Sequence, residues 1–208
     1  MKRKECDVNE EKNSYKLPKN FFEENPLKEL STAQMAYFQM VTYSLPGFNE
    51  QTEKLVFPFM DTDRREQYES EKQQIFQIST AEDVIKYMRK LKEMQNRGTL
   101  VEKALSMQEE VVPLILKRLL KSFHDVYIEI AVMVLADADM KYVEQLYDQF
   151  HDIRSPYARS EACIVFGMKR RIDYTPLLLE QYDKMKQEYP GQGYEQGPLF
   201  ALYLIHGE

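Results

Sequence analysis

The sequence predicts an all-α fold: antiparallel helix pairs repeated head to tail, preceded by an N-terminal helical extension. Only 7 of the 208 residues are glycine, the residue that β-rich folds use at their turns. Long stretches are rich in Glu, Lys, Gln, Met, Leu and Ala, which favour helix. From residue 109 onward a two-helix pattern recurs at an interval of 31 to 32 residues, the period of a solenoid.

The bulk numbers bound the function. A hydrophobic content of 43% supports a sizeable core, and 30% charged residues support solubility. The net charge of −6 repels nucleic-acid phosphates and anionic membranes. MKRKECDVNEEK begins basic, turns acidic and contains no apolar run of the kind a signal peptide needs. The longest apolar stretch, VYIEIAVMVLADA, carries Glu129 and falls short of the roughly 20 residues of a membrane span. Two cysteines, Cys6 and Cys163, make no disulfide framework. These features point to a cytoplasmic protein with no membrane or nucleic-acid partner and no cofactor.

Along the chain, residues 1–30 are expected to be a polar tail or a docked arm, with the adjacent aromatics Phe21 and Phe22 packing on later helices. Residues 31–79 form an N-terminal helical segment. Ser31 and Gln34 make a capping box, and the helix stops at Pro46–Gly47. Pro58 interrupts EQTEKLVFPFMD. A polar helix comes next, with Tyr68, Ile75, Phe76 and Ile78 to bury. Residues 80–208 hold the repeats. Thr80 opens a helix through T-x-x-D, with Val84, Ile85, Tyr87, Met88 and Leu91 at helical spacing and a stop at Arg97–Gly98. Thr99 opens a short helix reaching Ser106.

The repeat rests on three blocks: VVPLILKRLLKSF, YVEQLYDQFHDI and YTPLLLEQYDKM. Aligned without gaps, Pro113, Glu144 and Pro176 share a column (144 − 113 = 31; 176 − 144 = 32). Ile115, Leu146 and Leu178 share another, as do Leu119, Phe150 and Tyr182. Between the blocks, Ala131 meets Ala162, Val134 meets Val165 and Leu135 meets Phe166, and Ala201 takes the place of Ala162 in the last helix. Ser155–Pro156 and Thr175–Pro176 each read as an N-cap followed by Pro at the first helical position. The pattern resembles HEAT-like and armadillo-like repeats over about residues 80 to 206. That resemblance implies a right-handed α-solenoid whose second helices line a concave face.

Candidate chemistry is sparse. Cys163 stands in the column of Val132, among Ile164, Val165 and Phe166, and reads as a core residue rather than a nucleophile. Asp148, His151 and Asp152 lie at i, i+3 and i+4, a spacing that can converge on a metal, and Glu144 extends the row. With no second cluster, the plainer reading is a solvated polar face. DADMK lacks the glycine and the glutamate of a calcium loop, and GQGYEQG lacks the Lys–Ser/Thr of a phosphate loop. KRR at 169–171 is a short basic turn. What remains is the outward ridge of the second helices: Lys117, Asp148 and Glu180, then Lys121, Asp152 and Lys184, with Glu144 and His151 beside them.

The functional expectation is therefore a non-catalytic protein that binds a protein or peptide along this ridge. Net charge alone suggests a small regulator or immunity-type protein masking a basic partner. The alternative implied by the resemblance is a HEAT-like DNA-base glycosylase or another nucleic-acid-binding solenoid. The chain ends in GPLFALYLIHGE, whose six apolar side chains from Leu199 to Ile205 need cover, roughly 1.5–3 kcal/mol each if fully buried. That cover comes from the preceding repeat and the loop of the 190s, and a homodimer through this last helix is the further expectation.

Overall fold

The computed structural model describes residues 15–27, 54 and 57–207. Every element of regular structure among them is helical. A single turn, α1 (Phe21–Glu24), precedes a 3-10 turn at Phe57–Phe59. Then come α2 (Thr62–Gln77), α3 (Ala81–Tyr87), α4 (Arg97–Ser106), α5 (Gln108–Leu119) and α6 (Asp125–Asp137). The chain continues through α7 (Met140–Asp148), α8 (Pro156–Met168), α9 (Thr175–Glu188) and α10 (Gln196–His206). The helix read from Ser31 to Pro46–Gly47 lies outside the described residues. No helix among the described residues is long and apolar enough to cross a membrane.

Side-chain caps set four of the helix starts. The Asp61 side chain accepts from the Arg64 N–H at 2.8 Å, Thr80 Oγ1 from Asp83 N–H at 3.2 Å, and Ser155 Oγ from Ala158 N–H at 3.2 Å. Each satisfies a donor that the first helical turn leaves open. His124 caps α6 in the same way, its Nδ1 accepting from Tyr127 N–H at 3.3 Å. Thr175, by contrast, is the first helical residue of α9 and does not cap it. Its hydroxyl instead lies 2.8 Å from His206 Nε2, tying α9 to α10.

One helix stop lies elsewhere than its sequence signal. The helix opened by Thr80 ends at Tyr87, and Gly98 stands in the first turn of α4 instead of closing its predecessor. The cause is Glu71 on α2, which is buried although it lies in a polar stretch. Its carboxylate accepts from the backbone N–H groups of Lys92 and Glu93, both at 2.9 Å, and from Asn96 Nδ2 at 3.1 Å. These bonds hold residues 92–96 as a connection between α3 and α4 that carries a 3-10 turn at Met94–Asn96 and no α-helix. Phe76, placed in the core by its spacing, is half exposed, while Tyr68 and Ile75 are buried.

Packing runs between alternate helices. α2 packs on α4, α4 on α6, α6 on α8 and α8 on α10, the last most extensively; α3 packs on α5 and α5 on α7. α5 and α7 run in the same direction. Lys141 Nζ meets Glu109 at their starts, and the Arg154 N–H donates to Leu120 O just past their ends. Ile115, Leu146 and Leu178 have no exposed surface, nor do Ala131, Ala162 and Ala201. Gly167 brings α8 and α10 so close that an added Cβ would stand 2.6 Å from Ala201 Cα.

Cys163 is fully buried in α8, and burial pushes its thiol well above the usual range. Cys163→Val is expected to leave stability within about 1.5 kcal/mol of wild type, as near volume-conserving swaps do. A thiol reagent should reach Cys163 only on unfolding; labelling in the folded protein would contradict its place in the core.

The aromatics of the first segment do dock, and they dock at the far end of the chain. The Phe22 ring lies 3.9 Å from that of Tyr203 on α10, and Phe21 meets Tyr182 on α9 edge-on at 6.1 Å. The Tyr182 hydroxyl donates to Asn25 Oδ1 at 2.7 Å. Leu199, Ala201 and Leu202 are buried, and Phe200, Leu204 and Ile205 are partly buried against the core. The last helix is thus covered in part by the arm of residues 15–27, in addition to its neighbours α8 and α9.

Candidate functional site

Because α3 stops at Tyr87 and α5 continues past it, a groove of about 830 Å³ opens between them. Ile85 and Leu114 supply an apolar floor, and Lys86, Arg89, Lys117, Arg118 and Lys121 surround it. Glu82 is the one carboxylate in the lining. The turn from α5 into α6 forms the mouth, where Phe123 is 67% exposed.

The five cations are not equivalent. Lys86 is held by Asp83 at 2.8 Å, a hydrogen bond that raises the lysine pKa and lowers that of the carboxyl. The Arg118 guanidinium lies 5.7 Å from the Tyr127 ring centroid, a cation–π contact. Arg89, Lys117 and Lys121 are exposed and pair with no carboxylate among the described residues. Their charges are available to a ligand.

Of the ridge residues, this groove gathers Lys117 and Lys121. Glu144, Asp148, His151, Asp152 and Glu180 are also exposed, and Lys184 is half-buried, but none of them lines it. α7 ends at Asp148, and a 3-10 turn carries Phe150–Asp152, so the helical i, i+3, i+4 geometry expected for Asp148, His151 and Asp152 does not exist. Glu144 accepts from Arg171 Nη1 at 3.4 Å. Among the described residues no group of His, Cys, Asp or Glu side chains is placed to hold a metal ion. The KRR turn is committed elsewhere: Lys169 Nζ donates to Ala138 O at 2.9 Å, and Arg171 pairs with Asp173 and Glu144.

The contributions of Arg89 and Phe123 are not visible in the sequence pattern. Arg89 comes from the turn after α3, and Phe123 is the exposed apolar end of a block that begins in α5. A buried polar cluster is likewise hidden from the pattern. The Arg97 guanidinium pairs with Glu129 Oε2, and the Tyr157 hydroxyl donates to Glu129 Oε1 at 3.1 Å, joining α4, α6 and α8. Next to it, Glu161 is fully buried and neither carboxylate oxygen has a hydrogen-bond partner. Burial first, then the charges of Glu129 and Asp125, push its pKa up to about 8. One signal is present: Glu161 directly precedes the apolar run 162–166, where a carboxylate is out of place. Compared with protein-family models, curated proteins and solved structures, the chain matches none.

Proposed function

We propose that the chain is a non-catalytic helical-repeat protein of HEAT-like architecture that binds another protein by taking up a peptide segment between α3 and α5. The repeat reading is supported by the interval of its polar contacts. Asp139 to Gln108 and Lys169 to Ala138 each span 31 residues, and Lys141 to Glu109 spans 32. Helices that touch their counterparts one repeat away are what a stacked array of helix pairs produces. The binding reading is carried by the groove itself, an apolar floor beside the exposed, unpaired cations Arg89, Lys117 and Lys121.

Selection of peptides from a random displayed library against the intact chain tests this. Peptides that survive are expected to lose affinity by about tenfold on Phe123→Ser, as loss of an aromatic anchor does, and to be unaffected by Asp148→Asn one repeat away. If no peptide survives selection, or if binding ignores the groove, the proposal fails.

A further inference from the structure

Resting on the reading of this groove as a peptide site, we propose that its ligand is a short acidic segment bearing one apolar side chain. The groove opposes the sign of the molecule: the chain carries −6 overall, yet five cations and one carboxylate line this site. Arg89, Lys117 and Lys121 have no described carboxylate to neutralise them, so an incoming carboxylate meets unpaired charge rather than displacing an existing partner. Between them the floor of Ile85 and Leu114, with Phe123 at the mouth, removes apolar surface from water. A ligand complementary to both parts is anionic around an apolar centre.

The positive charge is one repeat wide. On the next unit the ridge positions of Lys117 and Lys121 are held by Asp148, the last residue of a helix running alongside α5, and Asp152, in the 3-10 turn after it. On the other side, the cleft between α2 and α3 is lined by Asp63, Glu66, Glu71 and Glu93 against Lys90 and Lys92. A phosphodiester backbone leaving the groove in either direction runs into carboxylates. An acidic run of a few residues does not. From Leu114 to Lys121 the helix path covers about 10 Å at 1.5 Å per residue, which matches an extended peptide of about three residues at 3.3 Å each.

Fluorescence anisotropy with a labelled, end-blocked peptide Glu-Asp-Phe-Asp-Glu measures the assignment. Its comparators are the same peptide with Lys at the four acidic positions, one with Ser at all four, one with Ser for Phe, and a labelled 12-nucleotide single-stranded DNA. The acidic peptide is expected to bind, and to weaken about tenfold or more between 50 and 300 mM salt as screening grows. It should weaken by a similar factor in the double variant Lys117→Glu, Lys121→Glu, whose two exposed side chains leave the helical circular dichroism spectrum unchanged. Replacing its Phe by Ser should cost several-fold. If the lysine or serine peptide binds as tightly as the acidic one and is lost with Phe123→Ser, the acidic assignment is overturned while the peptide-groove reading stands. If no peptide of any charge binds, both fall. Oligonucleotide binding tighter than the peptide's, and abolished by the same charge reversals, makes this a nucleic-acid site and overturns the proposal. Peptide binding indifferent to the reversals places the ligand elsewhere and does the same.

Discussion

Glu161→Gln is expected to make the protein more stable than wild type above about pH 8, with the gap closing as the pH falls. The folded-state pKa of Glu161 is raised to about 8 from an ordinary value of 4.5, because its carboxyl has no exposed surface and no hydrogen-bond donor. Between those two values the folded protein keeps a proton that the unfolded chain has released. Stability attributable to this group therefore falls as pH rises through that window and levels off once the folded state also ionises. The full span corresponds to several kcal/mol, at roughly 1.4 kcal/mol per pKa unit. The variant cannot ionise, so this slope disappears. The unpartnered amide it introduces has its own cost, but that cost is the same at every pH. Urea denaturation at pH 5, 7 and 9 measures the difference between variant and wild type. A difference that does not change with pH would place Glu161 in contact with water or with a donor.

Gly197→Ala is expected to destabilise the protein by about 1–3 kcal/mol or more, the range for overpacking a closed interior. A Cβ at residue 197 would stand 2.2 Å from the Ser160 carbonyl oxygen and 2.7 Å from its carbonyl carbon. Both atoms are backbone in the middle of α8, so neither can rotate away. Relief requires α10 to move off α8, which strains the bond from Ser160 Oγ to Tyr194 O, now 2.7 Å. The loss should appear as a lower denaturation midpoint with an unchanged denaturant slope. A variant as stable as wild type would mean that α8 and α10 are not so closely apposed.

The parts of this fold that are legible in the sequence are those written in local periodicity. Ile115, Leu146 and Leu178 stand 31 and 32 residues apart on the apolar side of a helical pattern, and all three are buried. The caps at Thr80 and Ser155 are legible because a side chain there reaches only three residues along the chain. The illegible parts depend on contacts across the sequence. Glu71 looks like one more charge on a polar helix, yet it fixes a connection more than 20 residues away. Gly98 carries the sign of a helix stop, but tertiary bonds end the helix earlier, at Tyr87. The candidate site divides in the same way. Lys117 and Lys121 can be read from the outward face of one helical pattern, although α5 itself ends at Leu119. Arg89 joins them only because α3 packs beside α5.

The arm that covers α10 has a consequence for the order in which the chain folds during synthesis. Tyr182 meets Asn25 across 157 residues, whereas contacts such as Lys141 to Glu109 and Lys169 to Ala138 close over 32 and 31 residues. A helix making such contacts can settle on an earlier one as it emerges, without waiting for distant sequence. The arm must wait. At roughly 5–20 residues per second, the ribosome needs about 8–30 s to deliver Tyr182 after Asn25. Through that interval Phe21 and Phe22 travel without the rings they later stack against. They leave the exit tunnel early, preceded among the described residues by Tyr15 and Leu17, and meet their partner rings only late. A nascent chain stalled before α9 therefore displays two adjacent phenylalanines, the kind of short aromatic motif that chaperones grip.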